Sequence, residues 1–174
     1  MPASFTPKTR GSESKGKTSS QTLSTNMSAA EAKVSDVLAS KDGGLFWINP
    51  DDTVAHAVEV LRDKGIGALL VKNPQGDLVG ILSERDIVRR LADTPGKTLP
   101  QTVKDLMSTD VVTATPDQSV VEVLRRMTDG RFRHMPVVEQ DQLVGMITIG
   151  DVVKAQIAEL AMEKDALQGM IMGY

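Results

Sequence analysis

Apolar and polar positions follow two different periods along the chain, and the same succession occurs twice. Residues 54–61 and 120–127 each carry apolar side chains at spacing i, i+3, i+4, i+7, which forms one stripe of an amphipathic helix. Each helix is followed by two short aliphatic runs separated by a polar turn, a pattern typical of paired β-strands. The pattern therefore predicts two copies of one unit, offset by 66 residues and, after the first polar turn, by 65.

Each copy is predicted to run strand, helix, strand, strand, helix, after a short helical turn. The helical turns pair residues 34–38 with 103–107, and the second long helices follow from Asp86 and Asp151. Because helices and strands alternate in this way, the predicted class is α/β (α+β). The predicted strands are 46–48, 66–71 and 78–82 in the first copy, and 112–114, 132–138 and 143–147 in the second.

The ends of the two amphipathic helices carry residues typical of caps. Asp51 or Asp52 precedes the first helix and Asp117 precedes the second, where a side-chain oxygen can accept from a free backbone N–H. Gly65 and Gly130 lie near the C-terminal ends, where a left-handed residue commonly ends a helix. We therefore expect the two helices to begin after these aspartates and to end near these glycines.

Composition divides the chain into a tail and a folded body. Residues 1–30 are dense in Ser, Thr, Lys, Gly and Pro, which predicts a disordered tail. A unit of about 60 residues buries its apolar faces poorly alone, so the two copies are expected to pack sheet to sheet as one pseudo-symmetric body. The predicted organisation is tail 1–30, first copy 31–93, linker 94–101, second copy 102–160 and helical extension 161–174.

Residue content excludes several kinds of chemistry. The 174 residues include no cysteine, which removes thiolate catalysis, zinc–thiolate sites and iron–sulfur clusters. Aromatic residues make up only 3% of the chain, so few platforms exist for stacking nucleic-acid bases. The net charge of −3 divides into +3 for residues 1–30 and −6 for the remainder, which argues against general affinity for DNA phosphates.

One motif recurs at the end of each copy: Gly, two apolar residues, Ser or Thr, two further residues, and Asp. It places Ser83 and Thr148 at a helix N-cap, with Asp86 and Asp151 at the third helical position. Free N–H groups and the positive end of the helix dipole suit an anionic phosphate there, and the carboxylate can accept from ribose hydroxyls. The same residues can also serve only as helix caps, and local spacing leaves both interpretations open.

Two copies of this motif in order, together with residues 133–138 (Arg-His-Met-Pro-Val-Val), resemble a pair of cystathionine-β-synthase (CBS) domains. The resemblance covers residues 33–160, and the chain looks like a stand-alone CBS-pair protein. It implies a ligand-sensing module that is not an enzyme and that binds adenosine-containing molecules: AMP, ADP, ATP, S-adenosylmethionine or NAD(H). It also implies a homodimer, in which two pairs join as a flat disc.

The resemblance also implies which residues bind the ligand. Each site would take its Asp from one copy and its base contacts from the other, with backbone groups reading the adenine edge and aliphatic side chains clamping its faces. The first site would contain Ser83, Asp86, Val112, Phe132, Arg133, His134 and Met135. The second site would contain Thr148, Asp151, Phe46, Ile66, Gly67, Ala68 and Leu69.

The two sites are predicted to differ in charge. Arg131, Arg133 and His134 align with glycine or alanine in the first copy, so the site with the Ser-x-x-Asp motif should hold the more phosphorylated ligand. Arg133 can pair with phosphate bidentately, and His134 can act as a pH-sensitive phosphate contact. The alternatives are a surface ion pair of Arg133 with Asp129 or Glu139, and a histidine that is only packed or exposed.

Apolar residues continue along the last helix beyond the repeat. This stripe can form a dimer seam, dock a partner, or pack on the helix's own body. It consists of Val153, Ile157, Leu160, Leu167 and Ile171.

Two other functions stay open. One is an NAD(H)- or S-adenosylmethionine-binding regulator of a redox or metabolic partner enzyme. The other is a nucleic-acid-linked regulator using Arg125, Arg126, Arg131 and Arg133, which the acidic body disfavours.

No apolar run approaches the roughly 20 residues that span a bilayer, so no membrane association is expected. The predicted location is the cytoplasm, or the mitochondrial matrix if residues 1–26 are a transit peptide.

Overall fold

The computed structural model describes residues 31–41 and 43–173, and the predicted tail lies outside them. The two mixed helix–strand copies predicted from the repeat are confirmed. The first copy contains α1 (Val34–Ala39), β1 (Trp47–Ile48), α2 (Val54–Lys64), β2 (Ala68–Lys72), β3 (Leu78–Ser83) and α3 (Glu84–Asp93). The second copy contains α4 (Val103–Leu106), α5 (Val120–Gly130), β4 (His134–Glu139), β5 (Gln142–Thr148) and α6 (Ile149–Ile171).

Each copy has its own small sheet. In the first, β1 is parallel to β2 and β2 is antiparallel to β3; in the second, β4 is antiparallel to β5. The strand predicted at residues 112–114 is reduced to one bridge between Ala114 and Val137. Ala114 donates to the carbonyl of Pro136 and accepts from Val138, both at 2.9 Å, and no neighbouring residue of that segment extends the ladder.

The long helices begin later than the aspartates predicted to cap them. Thr53 and Ser119 cap α2 and α5, and each hydroxyl oxygen accepts from the amide three residues on at 3.2 Å. Asp52 accepts from the amide of Asn49 at 3.0 Å, and Asp117 accepts from a hydroxyl two residues earlier. The prediction was therefore wrong by one or two positions, because the carboxylates close the turns that precede the helices.

The two helices end differently. Gly65 ends α2 in the left-handed conformation, with φ 62°, as predicted. The prediction for Gly130 was wrong, because Gly130 is the last helical residue and Arg131 takes the left-handed position with φ 56°. A Cβ on Gly130 would collide with the ring of Phe132, so glycine is needed there for close packing. The left-handed conformation costs a non-glycine residue about 1–2 kcal/mol.

The short helices are exchanged between the copies. Val34 and Val37 of α1 are buried in the core of the second copy, while Val103 and Leu106 of α4 are buried in the core of the first. The amide of Val34 donates to the carbonyl of Gln118 at 3.0 Å, and Val103 makes a matching bond of 2.8 Å in the turn before α2. Neither core is complete without the short helix that precedes the other copy.

The last helix extends far beyond the second core. Helix α6 has 23 residues, and only Val152 among them is buried. From residue 161 to residue 173 every side chain is exposed. None of the helices in the described part of the chain combines the length and apolar character needed to cross a lipid bilayer.

Candidate functional site

Both recurring motifs form a turn from a strand into a helix. Ser83 caps α3 and Thr148 caps α6, and each motif Asp lies at the third helical position, as predicted. Oδ2 of Asp86 accepts from the amide of Ser83 at 2.9 Å and from its hydroxyl at 2.6 Å. Within the described ranges the second oxygen of Asp86 accepts no hydrogen bond, so it is available to a ligand hydroxyl.

A cleft of about 500 Å³ lies beside the first motif, between the two copies. Its wall comes from α3, from the segment after α4 and from the chain between α5 and β4. Met135, predicted with this site, does not line the cleft, because its side chain is fully buried in the second core. Six residues predicted from both copies line the cleft together: Ser83, Asp86, Val112, Phe132, Arg133 and His134.

Four arginines surround this cleft. Arg85 and Arg89 lie one turn apart on α3, and Arg131 and Arg133 follow α5. Nη1 of Arg85 donates to the carbonyl oxygen of Arg131 at 2.8 Å, which joins the two copies at the rim. Arg133 forms no ion pair with any residue of 31–41 or 43–173, so the structure does not contain the alternative surface pair. The two α3 arginines were missed, although their spacing in the motif helix could have revealed them.

His134 lies half-buried at the edge of the cleft. Burial lowers the pKa of its imidazole, and the positive charges of Lys41 and Arg133 lower it further, while the aspartates of the two motifs partly offset this. A Cβ on Gly67 would lie 3.1 Å from the ring, so Gly67 leaves the space that the imidazole needs. Partial burial and the two nearby cations therefore favour the neutral form of this imidazole near pH 7.

The residues predicted for the second site are not gathered in one cleft. Gly67 lines the first cleft, and the side chains of Ala68 and Leu69 are fully buried. Phe46 and Ile66 pack against the core of the first copy. Beside Asp151 lies a hollow of about 420 Å³ lined by Val37, Ser40, Lys41, Asp151, Lys154, Ala155 and Ala158. Thr148 caps the helix that begins there.

Lys41 forms an ion pair with Asp151, the carboxylate of the second motif. Its Nζ lies 2.7 Å from Oδ2 of Asp151 and donates to the carbonyl oxygen of Met146 at 3.1 Å. Burial alone would raise the pKa of Asp151, but the hydrogen bonds from Lys41 and Thr148 lower it below its ordinary value. The sequence interpretation missed Lys41. Continuing the match of the short helices would have aligned it with Asp110, a residue that lines the first cleft.

These features define a module of two interlocked repeats with a polar cleft between them. The family model for the CBS domain matches residues 34–93 and residues 103–158, with a gap at the linker between the two copies. The chain therefore belongs to the CBS-domain family, as its two motifs indicated.

The chain is similar to several known proteins that contain CBS domains. The chain is 37% identical over 148 residues to the mitochondrial CBS domain-containing protein CBSX3 of Arabidopsis thaliana, covering 80% of this chain and 72% of that protein. The CBS-domain protein ATU1752 of Agrobacterium tumefaciens matches with a TM-score of 0.70 and 37% identity, over 71% of this chain and 92% of that one. The CBS pair of protein MJ0100, in complex with 5′-methylthioadenosine and S-adenosyl-L-methionine, matches with a TM-score of 0.64 and 25% identity, over 74% and 98%.

Proposed function

We propose that this protein is a regulatory module that binds an adenine nucleotide beside Ser83 and Asp86 and has no catalytic activity of its own. The observation that carries the proposal is the composition of one cleft. An Asp carboxylate with a free oxygen suits two ribose hydroxyls, and the N-terminus of α3 together with four arginines suits phosphates. We confine the nucleotide to this cleft, because the residues named for the second motif are divided between the first cleft and the core.

The charge of the cleft selects among adenosine compounds. The solved complex of protein MJ0100 with two adenosyl compounds supports an adenosine ligand. S-adenosylmethionine carries a positive sulfonium, which the four guanidinium groups repel and which Glu84, Asp86 and Asp110 attract, so the lining keeps a small positive excess. AMP, ADP and ATP carry the opposite charge, and Arg133 can hold two phosphate oxygens at once. We therefore expect ATP to bind more tightly than AMP, and either to bind more tightly than S-adenosylmethionine.

Calorimetric titration with AMP, ADP, ATP, NADH and S-adenosylmethionine tests the ligand class. Arg133→Ala should weaken ATP about 10- to 100-fold, since a hydrogen bond to a charged group contributes roughly 1.5–3 kcal/mol, and should leave adenosine unchanged. Arg125→Ala is the matched control, because Arg125 is exposed on α5 and does not line the cleft. Unchanged affinity of Arg133→Ala for both AMP and ATP would remove the phosphate role. Tightest binding of NADH would favour a redox-linked regulator.

Ligand binding can be transmitted because the cleft uses both copies. Asp86 belongs to the first copy and Arg133 to the second, so a bound nucleotide bridges them. Arrangements that bring the two residues closer are then favoured, by no more than the difference in ligand affinity between the arrangements. The exchanged short helices carry the change into both cores, since each packs against the copy it does not precede.

We further propose that α6 pairs with α6 of a second copy as a homodimer. Ile157, Leu167 and Ile171 are 62%, 60% and 84% exposed, and they lie on one stripe of the helix. Lys164 interrupts this stripe at a core position, where a parallel pair would place two lysines face to face. An antiparallel pair instead separates the two lysines, so their repulsion favours antiparallel pairing.

Light scattering during gel filtration tests the dimer. Leu160→Glu should convert it to a monomer, because Leu160 is 55% exposed in the middle of the stripe. Met162→Glu adds the same charge off the stripe and should leave the dimer intact. A monomeric wild-type protein at micromolar concentration, or equal behaviour of the two variants, would contradict the proposal.

The cellular location stays a prediction. The cytoplasm was predicted first, and the mitochondrial relative in Arabidopsis thaliana supports the alternative of a transit peptide at residues 1–26. Incubation with isolated mitochondria, followed by protease treatment, distinguishes the two: import should be lost when residues 1–26 are removed.

A further inference from the structure

One wall of the first cleft follows α4 and is joined to the second sheet by a short bridge. Val112 lines the cleft, and Ala114, two residues on, forms the bridge to β4. In the first copy the equivalent ladder is longer, because the amide of Leu70 donates to the carbonyl oxygen of Phe46 at 3.0 Å. Pro136 aligns with Leu70 and has no N–H, so the matching bond to Val112 cannot form. The ladder therefore stops short of the residue that lines the cleft.

Arg126 of α5 supplies a second restraint on this segment. Its Nη2 donates to the carbonyl oxygen of Thr113 at 3.0 Å, and its Nη1 donates to Oε1 of Gln118 at 3.3 Å. The same Oε1 of Gln118 accepts from the amide of Thr115 at 3.1 Å. The guanidinium therefore restrains the chain on both sides of Ala114, directly after the residue that lines the cleft.

An apolar residue stands at the equivalent position of the first copy. Val60 aligns with Arg126 and packs against the first core. In that copy β1 pairs with β2 at two successive residues. The arginine thus occurs in the copy where the ladder is shorter. A side chain there takes over part of the restraint that strand pairing provides in the first copy.

We propose that Arg126 is a positioning residue for the nucleotide: it holds the cleft wall at Val111 and Val112 in place without lining the cleft itself. The proposal rests on the nucleotide function of that cleft. A hydrogen bond from a charged donor is roughly twice as strong as a neutral one, so the guanidinium is a firm anchor for the carbonyl of Thr113. Without this anchor the wall leaves its position for part of the time, and the apparent affinity falls by the fraction of time in which it is in place.

Calorimetric titration of Arg126→Met with adenosine and with ATP tests the positioning role. Both affinities should fall about 10-fold, as expected if the wall is in place for roughly a tenth of the time. Their ratio should stay unchanged, whereas Arg133→Ala should weaken ATP alone. Arg126→Lys retains a charged donor and should recover part of the loss. Arg125→Ala is the matched control: it removes the same charge from the adjacent, exposed position of α5 and should change neither affinity.

Amide hydrogen exchange on the ligand-free protein follows the wall directly. In Arg126→Met the amides of Ala114 and Thr115 should exchange about 10-fold faster, while the ladder between β4 and β5 keeps its wild-type protection. A general loss of stability would raise exchange in both places. The comparison therefore separates a local restraint from a merely structural role.

The outcomes distinguish this proposal from the nucleotide function itself. Unchanged affinities of Arg126→Met, a loss confined to ATP, or exchange that rises equally in β4 and β5 would overturn the role of Arg126. Unchanged exchange at Ala114 and Thr115 would overturn it as well. Absence of binding by the wild-type protein, together with faster exchange at the wall in the variant, would remove the nucleotide and retain the restraint.

Discussion

The two strand-to-helix turns of this protein share a motif and a capping geometry, yet their surroundings differ in charge. Asp86 and Asp151 occupy equivalent positions and accept from the amide of their cap at the same distance, 2.9 Å. Around Asp86 lie four arginines and the acidic Asp110; beside Asp151 lies Lys41, which aligns with Asp110. Within the described residues, the aspartate of the same local motif thus has no ion-pair partner in one copy and pairs with Lys41 in the other.

The two turns show that a repeated sequence motif can have different surroundings in the two copies of one protein. The motif specifies the helix cap, which depends on residues close in sequence. The ligand chemistry depends on what the other copy and the exchanged short helix place opposite that cap. At that opposing position the residue is acidic (Asp110) in one case and basic (Lys41) in the other, and only the basic residue pairs with the motif carboxylate it faces.

The largest expected difference between the clefts is in AMP affinity. Asp86→Ala should weaken AMP by about 100-fold or more, because it removes two hydrogen bonds to a charged acceptor, each contributing roughly 1.5–3 kcal/mol. Asp151→Ala should change the affinity less than twofold, since Asp151 does not line the first cleft. Calorimetry on the two variants measures this difference. Equal losses would show that both motifs bind the nucleotide.

Replacing the motif glycines Gly80 and Gly145 by alanine should lower the free energy of unfolding by different amounts in the two copies. A Cβ on Gly80 would lie 2.7 Å from Sδ of Met107 and 3.0 Å from the carbonyl oxygen of Ser108, which the backbone holds in place. A Cβ on Gly145 would meet only the Leu38 side chain, which can rotate. Gly80→Ala should cost about 1–3 kcal/mol and Gly145→Ala about 1 or less, measured by urea unfolding. A larger loss of stability for Gly145→Ala than for Gly80→Ala would contradict the packing of α1 and of the segment after α4 against these two glycines.

The left-handed residues after α2 and α5 provide a smaller test. Arg131→Gly should stabilise the fold by up to about 1 kcal/mol, because glycine adopts φ 56° without steric cost. The same variant should weaken ATP, since Arg131 lines the cleft. Gly65→Ala makes the opposite exchange in the first copy, and should destabilise the fold without changing ATP affinity. Thermal melts with and without ATP measure both effects.

The smallest expected effect is on pH dependence, and it involves one copy only, since His134 aligns with Ala68. The pKa of His134 is lowered by burial, then by Lys41 and Arg133, against opposition from Asp151 and Asp86. The unfolded chain therefore binds a proton at His134 more readily than the folded chain does. The contribution of His134 to the stability of the fold is complete above pH 6.5, the ordinary pKa of histidine, and is lost as the pH falls through the pKa of the folded state.

Melting temperatures between pH 7.5 and pH 5.5 test this dependence of stability on pH. The wild-type melting temperature should fall more steeply with acid than that of His134→Gln, because only the histidine gains a proton on unfolding. Parallel curves would show that the imidazole does not contribute. His56→Gln is the control, since His56 is exposed on α2.

Most residues of the first cleft could be predicted from the motif and the family resemblance. The predictions that were wrong have physical explanations. Successive residues of a strand point to opposite faces, so His134 lines the cleft while Met135 is buried in the core. The wrong N-caps came from aspartates that close the preceding turns, one or two positions too early. The short-helix alignment could have marked the position of Lys41, but its pairing with Asp151 could not be predicted, because Asp151 lies 110 positions away and the contact depends on the path of α1.

The sequence by itself determined the repeat, the class, the main helices and strands, and the caps of the two motif helices. These features arise from side-chain periodicity and from hydrogen bonds between residues three or four positions apart. The exchange of α1 and α4 between the cores, the four arginines around one cleft and the ion pair of Lys41 with Asp151 became visible in the folded structure alone. Contacts of that range depend on how the backbone is packed, which local spacing does not encode.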